Sequence, residues 1–235
     1  MTPHPHISEQ FDHELDQARN RLMEMGGKVE QQLKNACKAL TNHDLELAET
    51  IKTGDRSINQ LEVDLDELCV QIIARRQPAA SDLRTLVSVM KASTDLERIG
   101  DEAKRIAKMA IAISRLTYPR DQYTDIRKLV ALVMAQVSAT LDAFARLDVD
   151  KAIGLIRYDA EIDDAYDAIV RDRAVQMKEM ANNPEGIEQT LHVLWAARAL
   201  ERIGDHAKNI SEVVVFLVRG EDIRDRALAA KLTGG

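Results

Sequence analysis

The chain is poor in rings, in chain breakers and in sulfur. Aromatic residues make up 3% of 235, with one tryptophan, alongside 10 glycines, 5 prolines and 2 cysteines. So few turn-forming residues argue against an all-β fold, and the abundance of Ala, Leu, Ile, Glu, Asp, Lys and Arg favours long helices. Cys37 and Cys69 lie outside any CxxC or zinc spacing and read as small buried hydrophobes of a reducing compartment. The longest unbroken apolar runs, Leu129–Ala135 and Val213–Val218, fall far short of the roughly 20 residues that span a bilayer. The opening "MTPHPHISEQF" has no apolar signal core, so a soluble, cytoplasmic protein is expected. Positive charge is also short. A formal net charge of −7 disfavours nonspecific nucleic-acid binding, which depends on Lys and Arg at phosphates. No nucleophile–base–orienter set and no Gly-rich phosphate loop after a strand occur, so no catalysis is expected.

What the chain does have is helical periodicity, written twice. Apolar spacing predicts helices over about 8–40, 45–76, 81–115, 122–146, 149–181 and on to about 218, with Ser8 and Ser81 or Asp82 as N-caps. "TNHD" (41–44), "QPAASD" (77–82), "LTYPRD" (116–121) and "NNPEG" (182–186) separate them, and the tail "RGEDIRDRALAAKLTGG" is expected to fray. "LERIGDEAKRI" (96–106) returns as "LERIGDHAKNI" (200–210), an offset of 104. The same offset without gaps pairs Asp44 with Asp148, Ala48 with Ala152, Asp55 with Asp159, Ile58 with Ile162 and Ala92 with Ala196. A tandem duplication follows. The predicted fold is all-α: two antiparallel three-helix bundles, 1–116 and 122–220, with internal pseudo-symmetry and a tail over 221–235.

The repeated peptide carries two features that weaken a lone helix. A mid-helix glycine costs roughly 1 kcal/mol against alanine, and like charges at i and i+4 cost about 0.2–0.5 kcal/mol. Leu96, Ile99, Ala103, Ile106 and Ala110 form the core stripe of one helix, and Leu200, Ile203, Ala207 and Ile210 that of its counterpart. Glu97 with Asp101, and Glu201 with Asp205, project away from those stripes on a common line. Glu62 and Asp66 form a third pair, flanking the stripe Ile58, Leu61, Leu65, Leu68 and Ile72. Asp159, Asp163 and Asp167 form a ladder that does not superpose on Glu62 and Asp66, whose counterparts are Tyr166 and Val170. Acid pairs on neighbouring helices converge into carboxylate clusters, which repel unless protonated or bridged by a cation. Oxygen-only ligation suits Mg²⁺, Mn²⁺, Ca²⁺ or oxidised iron. The alternative is local neutralisation, Asp101 by Lys104 or Arg105 and Glu201 by Arg198.

"MGGKVEQQL" (25–33), "ARRQPAASDLR" (74–84), "DLERIGDEA" (95–103) and "LERIGDHA" (200–207) resemble the PhoU family over residues 8–220. The resemblance implies a six-helix, pseudo-symmetric protein, often dimeric. It implies a non-enzymatic negative regulator of phosphate uptake and of the phosphate-starvation response. Its partners would be the ATPase subunit of the phosphate ABC transporter and a sensor histidine kinase, reached at the membrane periphery. It also implies metal binding, with Mg, Mn, Fe or Zn as candidates, through Glu62, Asp66, Glu97, Asp101, Glu201 and Asp205, and more loosely through Asp159, Asp163 and Asp167. A diiron carboxylate enzyme is disfavoured because no Glu-x-x-His occurs. A phosphotransfer scaffold would rest on His206 beside Lys208. Trp195, which replaces Lys91 of the first half, reads as core by default and as interface otherwise. Arg75, Arg76 and Arg84 read as dipole partners of the second helix, or as a basic spot for a transporter or anionic membrane.

Overall fold

A computed structural model describes residues 5–53, 57–116, 123–180 and 182–223 of the chain. Its helices are α1 (Pro5–Asn42), α2 (Leu45–Thr53), α3 (Ser57–Arg76), α4 (Ala80–Ser114), α5 (Thr124–Arg146), α6 (Val149–Glu179) and α7 (Pro184–Arg219). No strand occurs among the described residues. α2 and α3 together fill the second expected helix, on either side of residues 54–56. Two expected caps fall inside helices. α1 begins before Ser8, and α4 begins before Ser81 and Asp82, leaving Asp82 in its first turn, where it complements the helix dipole. Most of the "LTYPRD" linker and the tail from residue 224 lie outside the described residues.

The duplication extends to single backbone torsions. His43 and Leu147 are both left-handed, each with φ of 56°. Behind them Asp44 N–H donates to the Ala39 carbonyl at 3.0 Å and Asp148 N–H to the Ala143 carbonyl at 2.9 Å. Each aspartate then caps the next helix, Asp44 accepting from Leu47 N–H and Asp148 from Lys151 N–H, both at 3.0 Å. A left-handed residue ends one helix and an acidic cap opens the next.

α1, α2, α3 and α4 form one bundle and α5, α6 and α7 the other. α4 lies along α7 and α1 along α5, so one continuous core runs through both halves. The stripes on α4 and α7 are buried as expected; on α3, Ile58, Leu65 and Ile72 are buried while Leu61 and Leu68 pack at the margin. α5 meets the length and composition of a membrane span although its longest unbroken apolar run is only Leu129–Ala135. Here Ile126, Leu129, Val133 and Val137 serve the shared core. Both cysteines are buried, and burial pushes each thiol up to about 12.

The repeated glycine is a packing device. A Cβ on Gly100 would lie 3.3 Å from Ile58 Cδ1; on Gly204 it would lie 3.2 Å from Ile162 Cδ1 and from Gln136 Oε1. Ile58 and Ile162 are repeat equivalents, so each glycine lets the neighbouring helix close in at the same crossing. The arginines near the α3–α4 turn are held internally. Arg76 clamps Glu14 of α1 through two bonds of 2.9 Å, Arg75 bonds the Gln71 carbonyl, and Arg84 donates to the Leu217 carbonyl at the end of α7.

Candidate metal centres: two carboxylate clusters

The close α3–α4 crossing brings Glu62 beside Glu97 and Asp101, with Asp66 one turn further along α3. Burial raises the Glu62 carboxyl, and the charges of Asp66 and Asp101 raise it further, against the Thr94 hydroxyl and Arg98. Burial likewise raises Asp66, whose buried Oδ1 has no hydrogen-bond partner. Glu97 rises by burial, then by the charges of Asp101 and Glu62. Asn59, which spacing did not single out, and Lys104, which spacing offered as a neutraliser of Asp101, complete the group. Asn59 donates to Glu97 Oε1 at 2.9 Å, and Lys104 Nζ sits 3.2 Å from Asp101 Oδ1 and 3.3 Å from Asn59 Oδ1.

The second cluster lies at the α6–α7 crossing. Buried Asp159 accepts from Lys208 Nζ at 2.8 Å and from Gln136 Nε2 at 3.3 Å. Asp163 rises by burial and by the charges of Asp159 and Asp205, with Lys208 opposing. Glu201 rises by burial and by Asp205; Arg198 opposes from 2.5 Å at Oε1, and the buried Oε2 has no partner. Asp167 is exposed and reaches the cluster only through its field at Asp163.

The mismatch between the two acid ladders is resolved without a register slip. Asp163 is the repeat equivalent of Asn59, and Lys208 of Lys104. The first cluster draws its α3 acids from Glu62 and Asp66; the second draws its α6 acids from one turn earlier, Asp159 and Asp163. Tyr166, standing where Glu62 would be, instead lies under Arg198 at 5.7 Å. Applying the offset to asparagine and lysine, and not to acids alone, would have exposed this equivalence.

Among the described residues, no three His, Cys, Asp or Glu side chains are grouped to hold an ion. Lys104 and Arg98 at the first cluster, and Lys208 and Arg198 at the second, bring positive charge to the carboxylates. The donor set still fits a hard cation: it is oxygen-only, several of its acids are raised by burial and mutual repulsion, and each cluster keeps one buried oxygen without a hydrogen bond. His206 belongs to neither cluster. It is buried at the α4–α7 contact, with Nδ1 2.9 Å from Asp95 Oδ1. The phosphotransfer reading required an exposed histidine. Trp195 is 50% exposed and so not core.

The PhoU domain family model matches this chain twice, over residues 22–110 and 126–214. The chain is 46% identical over 219 residues to the phosphate-specific transport system accessory protein PhoU homolog of Pseudomonas aeruginosa, covering 93% of this chain and 89% of that protein. It is 41% identical over 234 residues to the accessory protein PhoU of Escherichia coli, covering 96% and 95%. The crystal structure of PhoU from P. aeruginosa matches with a TM-score of 0.85 at 44% identity, covering 90% of this chain and 100% of that one. The phosphate transport system regulatory protein PhoU from Streptococcus pneumoniae matches at 0.81 and 30% identity, covering 90% and 98%. With both halves matched and the crossings at Gly100 and Gly204 alike, this chain belongs to the PhoU family.

Proposed function

We propose that the chain is a cytoplasmic, non-enzymatic negative regulator of phosphate uptake and of the phosphate-starvation response. It acts by binding the ATPase subunit of the phosphate ABC transporter and a sensor histidine kinase, as a homodimer peripheral to the membrane. The observation that carries this reading is near-full-length similarity to proteins named as accessory to phosphate-specific transport. Control by binding needs no chemistry: the regulator shifts a partner toward whichever state it contacts more favourably. Cells lacking the protein are expected to express phosphate-starvation genes in phosphate-rich medium, and the purified chain to retain the transporter ATPase and the kinase on an affinity resin. Normal repression together with no retention would overturn the reading.

We further propose that both carboxylate clusters hold metal ions, through Glu62, Asp66, Glu97 and Asp101 in the first and Asp159, Asp163, Glu201 and Asp205 in the second, with Asp167 at its edge. The raised carboxyls and the orphaned oxygens of Asp66 and Glu201 support this. An ion would relieve the repulsion and tie α3 to α4 and α6 to α7. Adding Mn²⁺ or ferric iron to chelated protein is expected to raise Tm by several degrees, since binding to the folded state alone adds about 2.7 kcal/mol at a hundredfold excess over Kd. Glu97→Gln and Glu201→Gln should each lower the metal content with the helix content unchanged. Equal metal content in both variants and the parent counts against the sites.

A further inference from the structure

The duplication supplies an internal comparison along the α4–α7 seam. The two helices run antiparallel there, in a register set by Arg202 Nε to Glu102 Oε1 at 2.9 Å and Asn209 Nδ2 to Asp95 Oδ1 at 3.2 Å. The repeat therefore maps one end of the seam onto the other. At one end stand Trp195, Arg198 and Arg202 of α7 with Arg105, Lys108 and Met109 of α4. Their counterparts at the other end are Lys91, Thr94, Arg98, Asn209, Glu212 and Val213. Four cations and a tryptophan at one end thus answer to two cations, an acid and no ring among their counterparts, although Phe216 of α7 lies under Lys91 at 4.8 Å.

The cationic end is open to solvent. Trp195 is 50% exposed, and the side chains of Arg105, Arg198 and Arg202 are 54%, 53% and 45% exposed. The carboxylates beneath them are largely buried and outnumbered. Glu102 is shared by Arg202 at 2.9 Å and Arg105 at 3.2 Å, and Glu201 serves Arg198. Four cations over two largely buried carboxylates, around an exposed ring, stand out on a chain with net charge −7.

We propose that this end of the seam docks an acidic segment of a partner protein, whose apolar side chain covers Trp195 while its carboxylates meet Arg105, Lys108 and Arg202. Tryptophan and arginine are the side chains that most often dominate protein interfaces. Exposed Asp101 and Asp205 share the face of these cations but stand one turn further along the same two helices, past Arg105 and Arg202 and away from Trp195. An anionic membrane or a long nucleic acid running along the seam would meet those acids, whereas a short segment seated at the Trp195 end stops before them. The proposal adds a contact surface to the regulatory reading and stands whichever partner supplies the segment.

Trp195 is the only tryptophan, so its emission reports this surface alone. The probe is the peptide Glu-Asp-Glu-Leu-Leu-Asp-Glu-Asp, titrated into the full-length protein. The expected result is a saturable emission change that weakens at least several-fold as salt rises from about 50 to about 300 mM, where screening shortens from more than 10 Å to a few Å. The charge reversal Arg105→Glu with Lys108→Glu should weaken binding tenfold or more at unchanged helix content. Lys91→Glu, at the opposite end of the seam, should leave binding unaltered, and replacing both leucines of the peptide with serine should weaken it. No saturable change, equal loss in Lys91→Glu, or displacement of the peptide by phosphatidylglycerol vesicles would each overturn the proposal. A chain that binds the peptide but neither the transporter ATPase nor the kinase keeps the docking surface and loses the regulatory reading.

Discussion

At the scale of single residues, glycines in this protein answer two different demands. Gly27 sits in α1 with nothing within 4 Å of where a Cβ would point, so Gly27→Ala should stabilise by about 0.5–1 kcal/mol through helix propensity alone. Gly204 is hemmed in by Ile162 and Gln136 at 3.2 Å, so Gly204→Leu should destabilise by about 1–3 kcal/mol. Urea unfolding monitored by circular dichroism reads both, and a matched response would remove the packing account. Titration gives a second prediction. Glu62, Glu97 and Glu201 are raised chiefly by burial, so in the folded state they hold protons that the unfolded chain has released. Stability from these groups is present below the ordinary carboxylate range and is lost as pH climbs through their raised folded values. Glu14 behaves oppositely: its bond to Arg76 lowers it, and its contribution is lost as pH falls through the lowered folded value. Glu201→Gln in chelated protein is therefore expected to flatten the fall in Tm as pH rises above the ordinary carboxylate range.

At the scale of elements, the hinges between helices are copies. Asp44→Ala and Asp148→Ala each remove one side-chain cap and should each cost about 1 kcal/mol, equal to within experimental scatter, because the flanking left-handed residues and carbonyl bonds match. Unequal costs in thermal melts would show that the surroundings, and not the cap, set the value. Much of this level was legible in the sequence. The core stripes of α4 and α7, the turn at 41–44 and the offset of 104 all follow from apolar period and self-comparison. The starts of α1 and α4 were not, because a serine or aspartate near a helix start is as compatible with the first turn as with the cap. The role of Gly100 and Gly204 was also hidden, since a glycine that admits Ile58 or Ile162 has no signature within its own helix. Spacing offered Lys104 as a partner of Asp101, but it could not show Lys208 reaching Asp159 on α6, since that pair is joined only by the helix crossing.

At the scale of the molecule, the two repeats do not stand as separate bodies. α4 and α7 are the innermost helices of their halves and bury their stripes in one continuous core, stitched by Arg202 to Glu102 and His206 to Asp95. The halves should therefore unfold together. Trp195 reports on α7 and its seam with α4, whereas helicity reports on every helix, so the two probes should give coincident denaturation midpoints. A fluorescence transition that precedes the loss of helix would mean that the second bundle melts by itself.

Lys104 and Lys208 are tethered counterions, each already resident where an incoming cation would bind. Filling a cluster would evict its ammonium group onto the outer face of α4 or α7. Occupancy would then be broadcast as a relocated lysine, with no shift of the helices required. Lys104→Met and Lys208→Met should give proteins whose clusters fill at lower ion concentration and whose outer face no longer registers the filling.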